Sequence, residues 1–291
     1  MACVQSKDVY PMSNEEKAQL QAHLRRMYID LEKVCNRHGL QMMVAYGSVL
    51  GALRHDGFIP WDDDMDLLMP REDYDKLVNE YATELPPQYK IYGPNTGNGA
   101  RNRFGQIVDT STRLISVGFK DEPQFGIYLD VFVLENCPTN RWLRIFRMLK
   151  QNFYLLATTC TFDLVYDTDV RRKVMTSLPE LKKAYRRRKL IGRLFSFRSA
   201  NAWADSFDKA AQYYKNTGYY CVPSGGTLER YHEPIPIGEY IPVIRHKFDD
   251  IEVNIPSQAV RHLEREYGEW TSIPPVDKRE QHFVESIKFK V

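Results

Sequence analysis

The segment "GFIPWDDDMDLLM", residues 57–69, places four aspartates within five positions, with apolar residues on both sides. Side chains alternate between the two faces of a strand, which would put Asp62, Asp64 and Asp66 on one face and Asp63 on the other. Carboxylates this close repel one another, and each is costly to bury as an anion. A divalent cation removes both costs. The D-x-D pattern therefore predicts a site for Mg²⁺ or Mn²⁺, which prefer oxygen ligands.

Two other interpretations of this segment are weaker. A run of charge is more often a solvated loop, but Trp61 and the apolar run at 67–69 argue against free solvation. The D-x-D-x-D spacing also opens the calcium loop of an EF-hand, which requires glycine at its sixth position and glutamate at its twelfth. The chain has Leu67 and Asp73 at those positions, which excludes an EF-hand.

The neighbouring segments supply two further features of a phosphate-handling site. The apolar run "LQMMVAY" (40–46) predicts a buried strand, after which Gly47 and Ser48 open a short helix. Such a turn can present backbone N–H groups to a phosphate. The strand predicted at 126–134 is apolar on both faces except at Asp130. We expect this acid to face a metal ion or a cation; the alternative is an edge-strand aspartate bonded to an arginine.

A glycine-serine turn, a D-x-D strand and a third acid on a later strand form the arrangement of the nucleotidyltransferase superfamily. The sequence therefore predicts an α+β protein. A nucleotidyltransferase-like mixed sheet flanked by helices is expected over residues 1–138, and a mostly helical part that completes the site over residues 139–291. Helices are predicted at 13–38, 71–83, 139–160, 201–216 and 257–268, and strands at 61–69, 89–92, 104–109, 112–117 and, as a pair, within 239–256.

Composition limits the class of protein. The 291 residues are 43% hydrophobic and 27% charged, and the formal net charge of +2 gives no field that would attract nucleic acid. The five cysteines are widely spaced, which fits a reducing compartment and not a disulfide framework. The N-terminus has no run of signal-peptide length, and the apolar stretch 152–162 is too short to span a bilayer. We expect a cytoplasmic protein, either free or peripheral on the inner face of the membrane.

The segment 181–199 mixes many cations with large apolar side chains. This pattern is typical of an amphipathic helix that lies on an anionic membrane surface. A solvated helix or a flexible insertion explains it equally well. Nucleic acid is not expected as a partner, because no stacking module or recognition motif accompanies the charge.

Three blocks of the sequence resemble the LicD family, which includes bacterial phosphocholine transferases and is similar to fukutin and fukutin-related protein. They are "YGSVLGALRHDGFIPWDDDMDLLMPREDYDKL" (46–77), "YLDVFVLENCP" (128–138) and "KFDDIEVNIPSQAVRHLEREYGEWTSIPPVDKREQH" (247–282). The resemblance implies a metal-dependent transfer of phosphocholine from CDP-choline to a sugar hydroxyl of a cell-surface glycan or its lipid-linked precursor, with release of CMP. Animal relatives are implied to use CDP-ribitol instead.

The resemblance also implies roles for individual residues. Asp64 and Asp66 would be metal ligands and catalytic residues, with Asp62 as a further ligand. Asp130 would be the third acid, which ligates metal or accepts the proton of the acceptor hydroxyl. The other matched positions would bind the substrates: Gly47, Ser48, Arg54, His55, Lys247, Arg279 and His282.

Two questions stay open from the sequence. A choline headgroup is often held over aromatic faces, and the chain offers several candidates: Trp61, Tyr92, Tyr128, Trp203 and Trp270. Two other functions also remain. One is a nucleotidyltransferase that moves NMP from an NTP to a sugar phosphate or a small molecule. The other is a non-catalytic protein that binds a glycan or a membrane.

Overall fold

The computed structural model describes residues 10–99, 103–116, 126–176, 179–226, 229–279 and 283–290. The helices in these ranges are α1 (Asn14–His38), α2 (Tyr46–His55), α3 (Arg71–Lys76), α4 (Arg141–Val165), α5 (Asp169–Met175), α6 (Pro179–Phe195), α7 (Ala200–Ala211) and α8 (Ala259–Tyr267). The strands are β1 (Tyr10–Pro11), β2 (Met43–Val44), β3 (Asp66–Pro70), β4 (Tyr89–Tyr92), β5 (Gly105–Asp109), β6 (Arg113–Ser116), β7 (Ile127–Asn136), β8 (Tyr219–Cys221), β9 (Ile235–Pro236), β10 (Ile244–Phe248), β11 (Ile251–Ile255) and β12 (Phe283–Lys288). This mixed content confirms the predicted α+β class.

A mixed sheet forms the centre of the fold, with strands in the order β2-β3-β7-β5-β4. Strands β3 and β7 run parallel, and the other neighbouring pairs run antiparallel. The end of β7 extends beyond β3 and pairs with β8. The parallel register places Asp66 directly opposite Asp130, so the two acids that the sequence placed on separate strands lie side by side.

Helix α1 follows the sequence prediction closely. Ser13 caps its first turn, and Ser13 and Glu16 form a reciprocal capping box. The helix ends at Gly39, which adopts φ 66°, a left-handed conformation that glycine takes without strain. Residues that recur at helical spacing, among them Leu20, Leu24 and Leu31, are buried in the main core beside the sheet.

The strand predicted at 61–69 is wrong in its first half. Strand β3 begins only at Asp66, and residues 62–65 are irregular. The chain turns just before them, where the N–H of Asp62 donates to the carbonyl of Ile59 at 2.9 Å. Four residues that carry three adjacent carboxylates are poor strand formers, so the ladder starts only after them.

The helical second part packs tightly on itself and on the sheet. Helices α4 and α6 approach so closely at Gly192 that a Cβ there would lie 2.2 Å from the carbonyl oxygen of Cys160. Arg71, at the start of α3, forms buried ion pairs with Glu135 of β7 and with Asp208 of α7. No helix within the described ranges is long and apolar enough to cross a bilayer.

Candidate active site

A cleft of about 400 Å³ opens where β3 and α2 begin. Acids and cations line the same cleft, together with several aromatic side chains. The lining acids are Asp62, Asp63, Asp64, Asp66 and Glu269, the lining cations are Arg54, Lys278 and Arg279, and the aromatic residues are Tyr46, Trp61, Tyr267 and Trp270. The cleft therefore offers oxygen ligands for a cation and positive charge for an anion.

The carboxylates of Asp62, Asp63 and Asp64 form the tightest group of acids. One oxygen from each lies within 4.8 Å of the other two. Strand alternation had placed Asp63 on the opposite face, and that expectation is wrong, because residues 62–65 are not a strand. An all-oxygen donor set of this size fits a hard divalent cation such as Mg²⁺ or Mn²⁺.

Asp66 and Asp130 extend this group onto the sheet. Partial burial raises the pKa of Asp66 well above its usual value, and the neighbouring carboxylates of Asp64, Asp130 and Asp62 raise it further. Asp130 is held in place by Gln106, whose amide donates to its Oδ1 at 2.7 Å. These carboxylates repel one another when they are ionised. A bound cation would offset that repulsion.

Adding Mg²⁺ to metal-free protein should therefore raise its melting temperature, because a ligand that binds only the folded state stabilises it. At a concentration about 100 times Kd, the gain in unfolding free energy is about 2.7 kcal/mol. Thermal denaturation with and without Mg²⁺ measures it. Asp64→Asn should lose most of the shift, whereas Asp169→Asn, an exposed acid on α5, should keep it. An equal shift in both variants would contradict a metal site at Asp64.

The Gly47-Ser48 turn lies against the aspartates. Gly47 lies against Asp62, since a Cβ at Gly47 would be 3.1 Å from its Oδ2. The buried Ser48 Oγ accepts the N–H of Asp66 at 3.0 Å, and the Ser48 N–H donates to the carbonyl of Ala45. Ser48 thus ties the start of β3 to the start of α2. Phosphate binding by this turn stays a prediction.

His262 of α8 supports this turn and was not identified from the sequence. Tyr46 adopts φ 45°, and its N–H donates to Nε2 of His262 at 3.3 Å. Burial and, to a smaller extent, the charge of Arg265 together lower the pKa of His262 to about 4. The two contacting residues are 216 positions apart, so no local pattern in the sequence could have revealed their contact.

The buried, neutral His262 predicts a loss of stability in acid. The unfolded chain takes up a proton near pH 6.5, but the folded protein does so only near pH 4, so stability is full above pH 6.5 and falls as the pH drops. The complete loss from this residue is about 3 kcal/mol. Urea unfolding at pH 7.5 and pH 5 should show a smaller drop for His262→Gln than for the original protein. Equal drops would contradict this prediction.

The opposite wall of the cleft is built from the C-terminal segment. Arg54 Nη1 donates to the carbonyls of Trp270 and Ser272 at 2.9 and 3.1 Å, which ties α2 to this segment. The guanidinium of Arg279 lies 4.1 Å from the ring centroid of Trp61. Both arginines were predicted to be near the substrate, and both line the cleft.

Two other residues complete the description of this wall. Lys278 lines the cleft beside Arg279 and was not singled out from the sequence. His55 accepts the Nε–H of Arg54 at 3.0 Å, and its ring packs edge-on against Trp61 with the centroids 6.1 Å apart. His55 therefore lies behind the lining residues and helps to orient two of them.

Some predicted residues lie elsewhere. Lys247 of β10 is not part of the cleft lining, and its ammonium lies 3.4 Å from Asp56, at the opposite end of α2 from Gly47. His282 lies outside the residues that the structure describes. Among the aromatic candidates, Trp61 and Trp270 line the cleft, while Trp203 packs in the helical second part.

Comparison with known proteins agrees with this geometry. Residues 39–144 match the family model described as "LicD/FKTN/FKRP, nucleotidyltransferase domain". The chain is 24% identical over 258 residues to the lipopolysaccharide cholinephosphotransferase LicD of Haemophilus influenzae, across 87% of this chain and 90% of that protein. Shorter matches join it to uncharacterized proteins of Rickettsia typhi (30% over 70 residues, 24% of this chain and 21% of that protein) and Rickettsia prowazekii (24% over 115 residues, 40% of each).

Proposed function

We propose that this protein, whose residues 39–144 match the nucleotidyltransferase-domain model of the LicD family, transfers phosphocholine from CDP-choline to a sugar hydroxyl of a cell-surface glycan or of its lipid-linked precursor, releasing CMP. The Haemophilus relative, named as a lipopolysaccharide cholinephosphotransferase, supports both the headgroup and the glycan acceptor. The observation that carries the proposal is one cleft with four lining aspartates and three lining cations. That pairing of charges suits a diphosphate with its metal ion.

The acids would hold Mg²⁺ or Mn²⁺ through Asp62, Asp64 and Asp66, with Asp130 beside them. A metal bound there would neutralise the charge that develops as the diphosphate is cleaved. The acceptor hydroxyl attacks the phosphorus that bears choline, and the bond from this phosphorus to the bridging oxygen breaks, so that CMP leaves. Asp130, oriented by Gln106, accepts the hydroxyl proton.

The basic wall would bind the diphosphate, and an aromatic surface would bind the choline. Arg279 already covers a face of the Trp61 ring, so a quaternary ammonium cannot stack on that face without displacing a cation. Trp270 and Tyr267 line the same cleft, and we assign the choline to them. Tyr267 lies near the carboxylates of Asp62, Asp64 and Asp66, whose negative charge also favours a cationic headgroup.

Lys278→Gln should weaken donor binding more than chemistry, because it removes one cation from the wall and leaves the acids intact. We expect about a tenfold rise in KM for CDP-choline and a smaller change in kcat. Steady-state assays of CMP release measure both constants. Lys90→Gln, an exposed lysine on β4, is the matched control. A fall in kcat with an unchanged KM would contradict this role for Lys278.

A donor screen tests the function itself. The protein is incubated with Mg²⁺, with or without a glycan acceptor, and with one donor at a time. The donors are CDP-choline, CDP-ethanolamine, CDP-ribitol, CDP-glycerol and CTP. CMP release that needs both CDP-choline and the acceptor supports the proposal. Pyrophosphate release from CTP would favour a nucleotidyltransferase. Acceptor binding without turnover of any donor would indicate a non-catalytic binding protein.

A further inference from the structure

Helix α4 exposes a stripe of large apolar side chains. Trp142 is 77% exposed and Phe146 is 68% exposed, and Leu149, Phe153 and Leu156 are exposed as well. These positions are separated by four, three, four and three residues, which places them on one face of the helix. A soluble helix normally turns such a face into the core. This stripe therefore requires an explanation other than packing within the chain.

Helix α6 and the loop that follows it continue the same surface. Leu190, Leu194 and Phe197 are exposed, the last two by more than 70%. The ring of Phe153 packs against Trp203 with the centroids 6.1 Å apart, and the ring of Phe197 packs against the same Trp203 at 5.4 Å. Trp203 thus joins the two stripes into one surface. We call these eight exposed apolar side chains of the two helices and the loop the α4–α6 face.

The segments that carry this face are strongly basic, although Asp167 pairs with Lys189 of α6. Residues 141–162 and 181–204 contain twelve lysines and arginines and neither aspartate nor glutamate. The acid within α4, Asp163, is buried and pairs with Arg171 and Arg188, so it does not offset the exposed cations. Several cations project from α6 into solvent beside the apolar side chains: Lys182, Lys183, Arg186, Arg187 and Arg193.

We propose that the α4–α6 face docks onto an anionic lipid bilayer, with its apolar side chains in the headgroup region and its cations against the lipid phosphates. Exposed aromatic and leucine side chains flanked by lysine and arginine are what such an interfacial contact requires. A second copy of the chain fits less well, because it would bring the two sets of cations together. The sequence pointed only to 181–199, yet five of the eight exposed apolar side chains lie on α4.

Flotation with lipid vesicles tests the proposal. The full chain is mixed with vesicles of phosphatidylcholine alone or with added phosphatidylglycerol, without donor or metal. We expect binding to the anionic vesicles only. The Phe146→Ser/Leu149→Ser variant should bind at least about tenfold more weakly, and Arg186→Glu/Arg187→Glu about thirtyfold or more weakly. All four positions are exposed, so the variants should fold, which circular dichroism checks.

Matched controls separate this surface from general effects of charge and hydrophobicity. Lys90→Glu/Lys215→Glu makes the same charge change elsewhere, and Ile244→Ser/Val260→Ser removes two exposed apolar side chains from other elements. Both should bind like the original protein. Absence of binding to anionic vesicles, or equal losses in test and control variants, would overturn the proposal. So would a dimer that Phe146→Ser/Leu149→Ser dissociates in the absence of vesicle binding. None of these outcomes depends on whether the protein transfers phosphocholine.

Discussion

Asp66→Asn should reduce kcat/KM for phosphocholine transfer about a thousandfold or more and should raise the melting temperature of the metal-free protein. Activity falls because the acid at the start of β3 would hold the metal beside Asp64 and Asp130. Stability rises because the charged form of Asp66 is disfavoured by its neighbours, as its raised pKa indicates. Assays of CMP release and thermal denaturation without metal measure the two effects.

The opposite signs of these effects make the result informative. A variant that merely misfolds would lose both activity and stability. Asp169→Asn, on the exposed surface of α5, should change neither. If Asp66→Asn kept activity within about tenfold of the original protein, the aspartates would not be the catalytic metal site, and the basic wall alone would have to explain the cleft.

Arg71→Ala should lower the free energy of unfolding by about 3–5 kcal/mol, because it leaves two buried carboxylates without their cation. Glu135 and Asp208 both lie within the interior, and Arg71 Nε donates to Glu135 at 3.0 Å. Denaturation in urea measures the loss. The variant should unfold at a lower urea concentration, because the ion pairs of Arg71 no longer join β7 to α7.

An exposed ion pair is the control for this result. Arg37 is 63% exposed and pairs with Glu84 on the surface, so Arg37→Ala should change stability by no more than about 0.5 kcal/mol. A loss of under about 1 kcal/mol for Arg71→Ala would show that water or a rearranged side chain replaces the guanidinium. The buried ion pairs of Arg71 would then contribute little to the packing of α7 against the sheet.

The parts of this fold that local pattern determines could be predicted from the sequence. Helix α1 was recognisable from its apolar spacing and its ending at Gly39. Strand β7 was recognisable from its continuous apolar run, and Asp130 within it did lie beside the aspartate segment. In both cases residues close together in the sequence determine the element, since periodicity and end signals act over a few residues.

The parts that depend on distant contacts could not be predicted. Alternation failed at Asp63, because residues 62–65 follow a turn and form no strand ladder. Some contacts that hold the site in place, such as the one between His262 and Tyr46, join residues that are far apart in the sequence. Lys247 matched a family block, yet it lies at the far end of α2, because similarity of sequence does not specify which end of a helix a hairpin approaches.

The anchoring of Arg54 to the carbonyls of residues 270 and 272 has a consequence for synthesis. The two sides of the cleft are more than 200 positions apart in the chain, so a ribosome makes the acidic side long before the basic one. A nascent chain that has completed β3 and β7 still lacks Lys278 and Arg279. The protein therefore gains the complete cleft only after residue 279 has been translated.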